Sequence, residues 1–253
     1  MITMIEERFD GVIFDFNGVL LWDNHLHEEA WRRTSARLRG APLSDEEMRR
    51  EVHGRVNRDI FAYVLGRAVS REEMQPLMEE KERTYRQLAL ASGAAYRLSP
   101  GAVELLDFLA AAAIPRAIAT SSPGVNVAFF IEQLDLHRWF APEHIIHDRG
   151  LYPGKPAPGI YLEAAEQLGL VPARCIVVED SIAGIASAHG AGIGGIVAIG
   201  PAAEHAALAA LPGVGAVITD LRHFPWAWLS TARAEVPAVL GETGGGPVAH
   251  REG

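Results

Sequence analysis

A strict alternation that begins after Ser99 leaves this chain few possible architectures. Short apolar runs take turns with segments of helical periodicity. Arg116–Thr120, a short stretch near Ile145, Cys175–Glu179, Gly195–Ile199 and Ala216–Thr219 read as strands. Residues 100–113, 124–134, 158–168, 182–189 and 202–210 read as helices, with Pro100 placed in a first turn, where a missing N–H costs nothing. An earlier run, Gly11-Val12-Ile13-Phe14, is apolar and bounded by glycine, so it reads as one more buried strand. This order of elements implies right-handed crossovers and therefore an α/β, doubly wound parallel sheet with helices on both faces.

One block interrupts the alternation. From about Asp23 to Ser99 the chain is charged, helical in period and without a convincing strand. Four helices are expected there, at 25–39, 45–53, 57–66 and 71–92. Ser44-Asp45-Glu46-Glu47 and Ser70-Arg71-Glu72-Glu73 have the spacing of capping boxes, in which Ser and Glu satisfy orphan amides at a helix start. The expected organisation is a sheet domain of residues 1–22 plus 96–230, with an all-helical domain, 23–95, inserted after the first strand. Residues 231–253, rich in Gly, Ala and Glu, are expected to be a flexible tail.

Charge and composition narrow the function. The chain has 253 residues, of which 49% are apolar, and a formal net charge of −9. That balance argues against nucleic acid as a partner, because such proteins show a basic excess or stripe. No apolar run approaches the ~20 residues needed to span a bilayer, and the acidic N-terminus lacks the apolar core of a signal peptide. With Cys175 as the single cysteine there is no disulfide framework, which fits a cytoplasmic location. A monomer or a homodimer is expected.

In open α/β sheets ligands bind beyond the carboxyl ends of the strands. The first strand ends in Asp15-Phe16-Asn17, the next in Thr120-Ser121-Ser122 and the fourth in Glu179-Asp180, while Lys155 follows the third. Three carboxylates, an ammonium and hydroxyls should therefore meet at one edge. Crowded carboxylates repel, and a hard cation such as Mg²⁺, which takes oxygen ligands, relieves that repulsion. One Mg²⁺ plus Lys155 balances the three negative charges and leaves a site for a phosphoryl group. Asp15 is then placed to attack phosphorus as a nucleophile.

Four motifs in order carry a family resemblance: Asp15-Phe16-Asn17-Gly18-Val19, Ile118-Ala119-Thr120-Ser121-Ser122, Gly154-Lys155-Pro156-Ala157-Pro158 and Val178-Glu179-Asp180-Ser181. The chain resembles the haloacid dehalogenase superfamily, in the branch with a helical cap after the first strand. Val178 to Ile185 and His27-Glu28-Glu29-Ala30-Trp31 are similar to the beta-phosphoglucomutase and sugar-phosphatase members. The resemblance implies a Rossmann-like core and a Mg²⁺-dependent phosphatase of a small phosphorylated metabolite such as a sugar phosphate, with a phosphosugar mutase as the alternative. It implies Asp15 as nucleophile and metal ligand, Asp180 and Glu179 as metal ligands, and the Asn17 main-chain carbonyl as a further one. Thr120 and Lys155 would bind the phosphoryl group. Ser121, Ser122, His27 and Arg58 would face the substrate; Arg58 and Arg55 follow Gly54 in a cap turn where members of this family read substrate.

The sequence departs from that family at Asn17. Most members carry there a second Asp, which acts as general acid and base, and an amide does neither near neutral pH. Three readings follow. Asp23, His25 or His27 supplies the proton; the substrate has a leaving group that needs none; or the chain is a weakly active or non-catalytic binder of a phosphorylated ligand. Trp31 is expected in the core of the helical block. A His25-x-His27 zinc pair is discounted, since residues two apart do not share a helix face. Gly190-x-Gly192-x-x-Gly195 precedes a strand, the wrong order for a dinucleotide site.

Overall fold

The computed structural model describes residues 8–230; the expected tail, 231–253, lies outside the described residues. Six strands form one parallel sheet: β1 (Gly11–Phe14), β2 (Arg116–Pro123), β3 (Ile145–Asp148), β4 (Cys175–Glu179), β5 (Gly195–Ile199) and β6 (Val214–Ile218). Their order across the sheet is β3-β2-β1-β4-β5-β6. The α/β, doubly wound fold is as the alternation implies. The direction of winding reverses between β1 and β4, which opens a crevice at their carboxyl ends.

Successive residues of a strand face opposite sides of a sheet. Val12, Phe14, Ile118, Val178 and Val197 accordingly join one apolar cluster, with α5 (Ala102–Ala111) and α6 (Gly124–Leu134). Ile13, Ala117, Ala119, Val177 and Ile196 join the other, with α7 (Gly159–Gln167), α8 (Ile182–Gly190) and α9 (His205–Ala209). Strands buried on both faces read as unbroken apolar runs, which is why β1, β4 and β5 stand out in the sequence.

Between β1 and α5 come α1 (Asn24–Arg39), α2 (Asp45–Glu47), α3 (Asn57–Leu65) and α4 (Arg71–Ala91). They bury a cluster of their own around Trp31, Leu43, Met48, Ile60 and Phe61. The two segments that lead into and out of this helical insertion run side by side. Leu21 and Leu98 form an antiparallel bridge, Ser99 N donates to Leu20 O at 2.8 Å, and Ser99 Oγ donates to Val19 O at 2.6 Å.

Four local expectations are corrected. The helix expected over 45–53 is α-helical only to Glu47 and continues as a wide π turn, Met48–Val52, after which the Gly54 carbonyl meets the core at Ser121. The box at Ser44 is complete, but Ser70 only accepts from Glu73 N, because the Glu73 carboxylate is held by Arg67. Pro100 lies outside α5, whose N-cap is Gly101 with φ 84°. β2 runs on to Pro123 through an irregular register at Ser121 and Ser122, a device that re-aims side chains beside sites.

Candidate active site

Asp15 follows β1 directly and its amide is fixed by Val178 O at 3.0 Å. Lys155 comes up from the loop before α7 and is 1% exposed. Its Nζ donates to Asp15 Oδ1 and to Glu179 Oε1, each at 2.6 Å, and to Ala119 O at 3.3 Å. Glu179, at the end of β4, also accepts from Tyr161 OH at 2.9 Å and from the Ser181 amide and hydroxyl at 2.8 and 3.0 Å. Asp180 Oδ2 accepts from Asn24 Nδ2 at 2.9 Å. Asp15, Glu179 and Asp180 bring carboxylate oxygens within 4.8 Å of one another.

The glycine after Asn17 is dictated by this crowding. Gly18 takes φ 87°, and a Cβ there would lie 1.9 Å from Asp180 Oδ2. Electrostatics follow from the same packing. Burial raises the Asp15 carboxyl to about 7, with Lys155 opposing and Glu179 adding to the rise. Burial also pushes Asp180 well up, and the Glu179 and Asp15 charges push it further. Burial opposes the charge on Lys155, but Asp15 and Glu179 outweigh it and hold the ammonium protonated. Three carboxylates against one lysine leave a negative excess, and an all-oxygen donor set of this kind fits a hard divalent cation.

Next to this cluster Asn17 is fully engaged. Its Nδ2 donates to Asp23 Oδ2 at 2.9 Å, and its Oδ1 accepts from Ser122 Oγ at 2.8 Å and, at the limit of a hydrogen bond, from Thr120 Oγ1 at 3.5 Å. Asp23 is 1% exposed; Tyr85 OH donates to the same Oδ2, and Oδ1 has no partner among the described residues. His27 stacks on the Tyr85 ring with centroids 3.8 Å apart. Its Nε2 lies 3.4 Å from Asp23 Oδ2 and 3.3 Å from Asn17 Nδ2, while Nδ1 lies 3.1 Å from Lys81 Nζ. The His27 ring therefore lies between the Asp23 carboxylate on one side and the Lys81 side chain on the other.

The carboxylate cluster opens into a cavity of about 80 Å³ between the sheet edge and the helical insertion. A model of the haloacid dehalogenase-like hydrolase family matches residues 9–192. The chain belongs to that family. It is 31% identical over 188 residues to the phosphorylated carbohydrates phosphatase of Thermotoga maritima, covering 73% of this chain and 82% of the relative. It is also 31% identical over 188 residues to the beta-phosphoglucomutase of Bacillus subtilis, covering 72% and 80%. Among solved structures, a haloacid dehalogenase family IA hydrolase from Entamoeba histolytica superimposes with a TM-score of 0.77 at 36% identity, covering 87% of this chain and 96% of that one.

In this haloacid dehalogenase-family enzyme most of the residues singled out from sequence converge. Asp15, Asn17, His27, Thr120, Ser121, Ser122 and Asp180 line the cavity, with Lys155 and Glu179 buried directly behind. Ser121 Oγ donates to the Gly54 carbonyl at 2.9 Å and so ties the insertion to the core. Arg58 is corrected: it is not among the lining residues, because its guanidinium turns to Asp59 at 3.3 Å, and Arg55 takes the wall instead. His25 is exposed and away from the cavity. Trp31 is in the insertion's core, as expected, and its edge also reaches the cavity.

Sequence reasoning missed Asn24, Asn57, Lys81 and Glu82, all of which line the wall. A signal for the last two was present. Met74, Leu77, Met78, Tyr85, Leu88 and Ala89 mark one face of α4, and the stripe passes through positions 81 and 82. Charged residues where an apolar stripe should continue are inward-facing charges.

Proposed function

We propose that this enzyme is a Mg²⁺-dependent phosphatase of a small phosphorylated metabolite, a sugar phosphate in the first instance, working through an aspartyl phosphate on Asp15. The observation that carries this reading is the pairing of Asp15 Oδ1 with Lys155 at 2.6 Å beside Glu179 and Asp180. It holds one carboxylate oxygen fixed and leaves the other for attack. The phosphatase named among the relatives supports the substrate class. Residues 23–95 are the cap of this proposal, and residues 1–22 with 96–230 its catalytic core.

Asp15, Asp180, the Asn17 carbonyl and Glu179, directly or through water, would hold Mg²⁺. When bound it would neutralise the carboxylates and polarise the phosphoryl oxygens. Asp15 attacks phosphorus, the ester P–O bond breaks, and the leaving oxygen takes a proton. Thr120 Oγ1, Ser121 and Lys155 hold the phosphoryl oxygens. Water then attacks phosphorus, its proton passes to the group that gave one to the leaving oxygen, and the bond to Asp15 breaks to release phosphate. Of the three groups that could replace the missing acid, His25 is remote and Asp23 is screened behind Asn17, which leaves His27 at the cavity. A mutase is the second reading, favoured by the relatedness to a beta-phosphoglucomutase. Asn17 weighs against it, because a mutase needs the proton relay in both half-reactions.

A phosphate-release assay with Mg²⁺ over acetyl phosphate, p-nitrophenyl phosphate and alkyl sugar phosphates tests the reading. Release is expected from all three classes, fastest for the first two, and EDTA should abolish it. Activity that survives EDTA, or release from none of them, removes the proposal.

The cation should also be visible in stability. Carboxyls raised above their unfolded value near 4 stabilise the metal-free fold at low pH, and this stabilisation is lost as pH rises through about 7 for Asp15. Mg²⁺ competes with those protons and replaces them. Thermal melts are therefore expected to show a larger Mg²⁺-induced rise at pH 8 than at pH 6; an equal rise at both would count against the site.

A further inference from the structure

Lys155 reaches Asp15 from a sealed pocket. Its Nζ carries three N–H groups. Asp15 Oδ1 and Glu179 Oε1, at 2.6 Å each, and the Ala119 carbonyl, at 3.3 Å, accept them. Two carboxylates therefore compete for one ammonium, and where it settles decides how firmly Asp15 is aimed. Glu179 is held in turn. Its Oε2 accepts from the Ser181 amide and hydroxyl at 2.8 and 3.0 Å. On the side of α8 there is room for bare backbone alone, since a Cβ at Gly184 would lie 1.6 Å from Oε1. Among the described residues the other donor to Oε1 is Tyr161 OH, at 2.9 Å. Tyr161 lies in the first turn of α7 and is fully buried. Its ring also faces the ammonium, with Lys155 Nζ 4.9 Å from the centroid, within the reach of a cation–π contact. Burial, and after it the Glu179 charge, push the hydroxyl well above its ordinary range, so it remains a donor.

We propose that Tyr161 is a positioning residue that sets how Lys155 is shared between Glu179 and Asp15, by donating to the same Glu179 oxygen that holds the lysine. The proposal rests on the phosphatase reading of the site. An oxygen that already accepts a hydroxyl proton offers less charge to a second donor. Glu179 thus anchors the ammonium without drawing it away from Asp15. Asp15 Oδ1 stays locked, and its other oxygen stays in line for phosphorus. The Ala119 contact is the longest of the three, and its N–H is the one that Lys155 can turn to a phosphoryl oxygen. Tyr161 is not among the residues that line the cavity, so its effect on the reaction passes through Lys155 and Glu179.

Tyr161→Phe keeps the ring and removes the hydroxyl. The test is a single-turnover, acid-quenched reaction with labelled acetyl phosphate and Mg²⁺, in which Asp15 takes the phosphoryl group and acetate leaves. The variant should label the same fraction of chains as the parent, but about tenfold more slowly, the worth of one hydrogen bond to a charged group. A merely structural role would lower the labelled fraction and leave the rate alone; that result, or an unchanged rate, overturns the proposal. Because Tyr161 acts through Glu179, its loss should cost less than about twofold when Tyr161→Phe is made in a Glu179→Gln chain. Equal losses in both backgrounds overturn the proposal as well. Should Tyr161→Phe fail to melt cooperatively, a ring-fluorinated tyrosine at position 161, a stronger donor of nearly the same shape, takes its place. Labelling faster than in the parent is then expected, and an equal or slower rate rejects the role. A parent chain that takes no label removes the phosphatase reading and this role with it, whereas a labelled parent matched by its variants removes the role alone.

Discussion

Asp15→Ala is expected to lower phosphate release by roughly 10⁴-fold or more, the scale on which loss of a covalent nucleophile is felt. The fold should survive. Lys155 keeps Glu179 at 2.6 Å when Asp15 is gone, so no buried charge is left alone. A carboxyl that burial holds at about 7 is also removed, and with it part of the mutual repulsion at the sheet edge. Two measurements separate chemistry from folding: a cooperative melt in the variant, and acid-quenched phosphoprotein from labelled acetyl phosphate that forms in the parent chain and is missing in the variant. Full activity without Asp15 would end the covalent mechanism.

Asn17→Asp is expected to raise turnover of alkyl sugar phosphates and to change little for p-nitrophenyl or acetyl phosphate. The ceiling is the ~10²–10⁴-fold worth of a positioned acid–base group, reduced by whatever His27 already supplies. The reason lies in the surroundings of position 17. The Asn17 amide is 2.9 Å from Asp23 Oδ2, so a carboxyl placed there would share a proton with Asp23. Two carboxyls at that separation ionise one at a time, and the proton they retain is the acid that a poor leaving group needs. The same pair should make the variant lose stability relative to the parent as pH rises and the shared proton leaves. His27→Ala completes the comparison, with sugar phosphates expected to suffer far more than activated esters. If both substitutions leave the ratio of alkyl to activated esters where it was, His27 and position 17 carry no proton.

What could be read from sequence follows the physics of each part. Asp15, Thr120, Glu179 and Asp180 were visible because each lies at or next to the carboxyl end of a conspicuous apolar run, and the strand ends of a doubly wound sheet converge. Lys155 was visible by its place after the third strand. The cap was opaque. Lys81 and Glu82 sit within Glu79-Glu80-Lys81-Glu82-Arg83, where only the register of the flanking apolar residues sets the inward pair apart. Arg58 and Arg55 differ by less than one helical turn, and the π turn at Met48–Val52, which aims the segment, has no sequence signature of its own. The partners of Asn17 also escape a linear reading, because Ser122 is 105 residues away and reaches it only through the parallel pairing of β1 with β2.

The paired segments at Leu21 and Leu98 carry a further consequence. The helical block enters and leaves the core through a single doorway, two neighbouring backbones laced by Ser99. None of the sheet's pairings depends on anything inside that block. Evolution, or an engineer, can therefore treat it as a cassette. A foreign helical block whose ends meet at the same separation can be spliced in to redirect selectivity, provided it restores the groups that Asn24 and His27 supply, while the Asp15–Lys155–Glu179 pairing stays with the sheet.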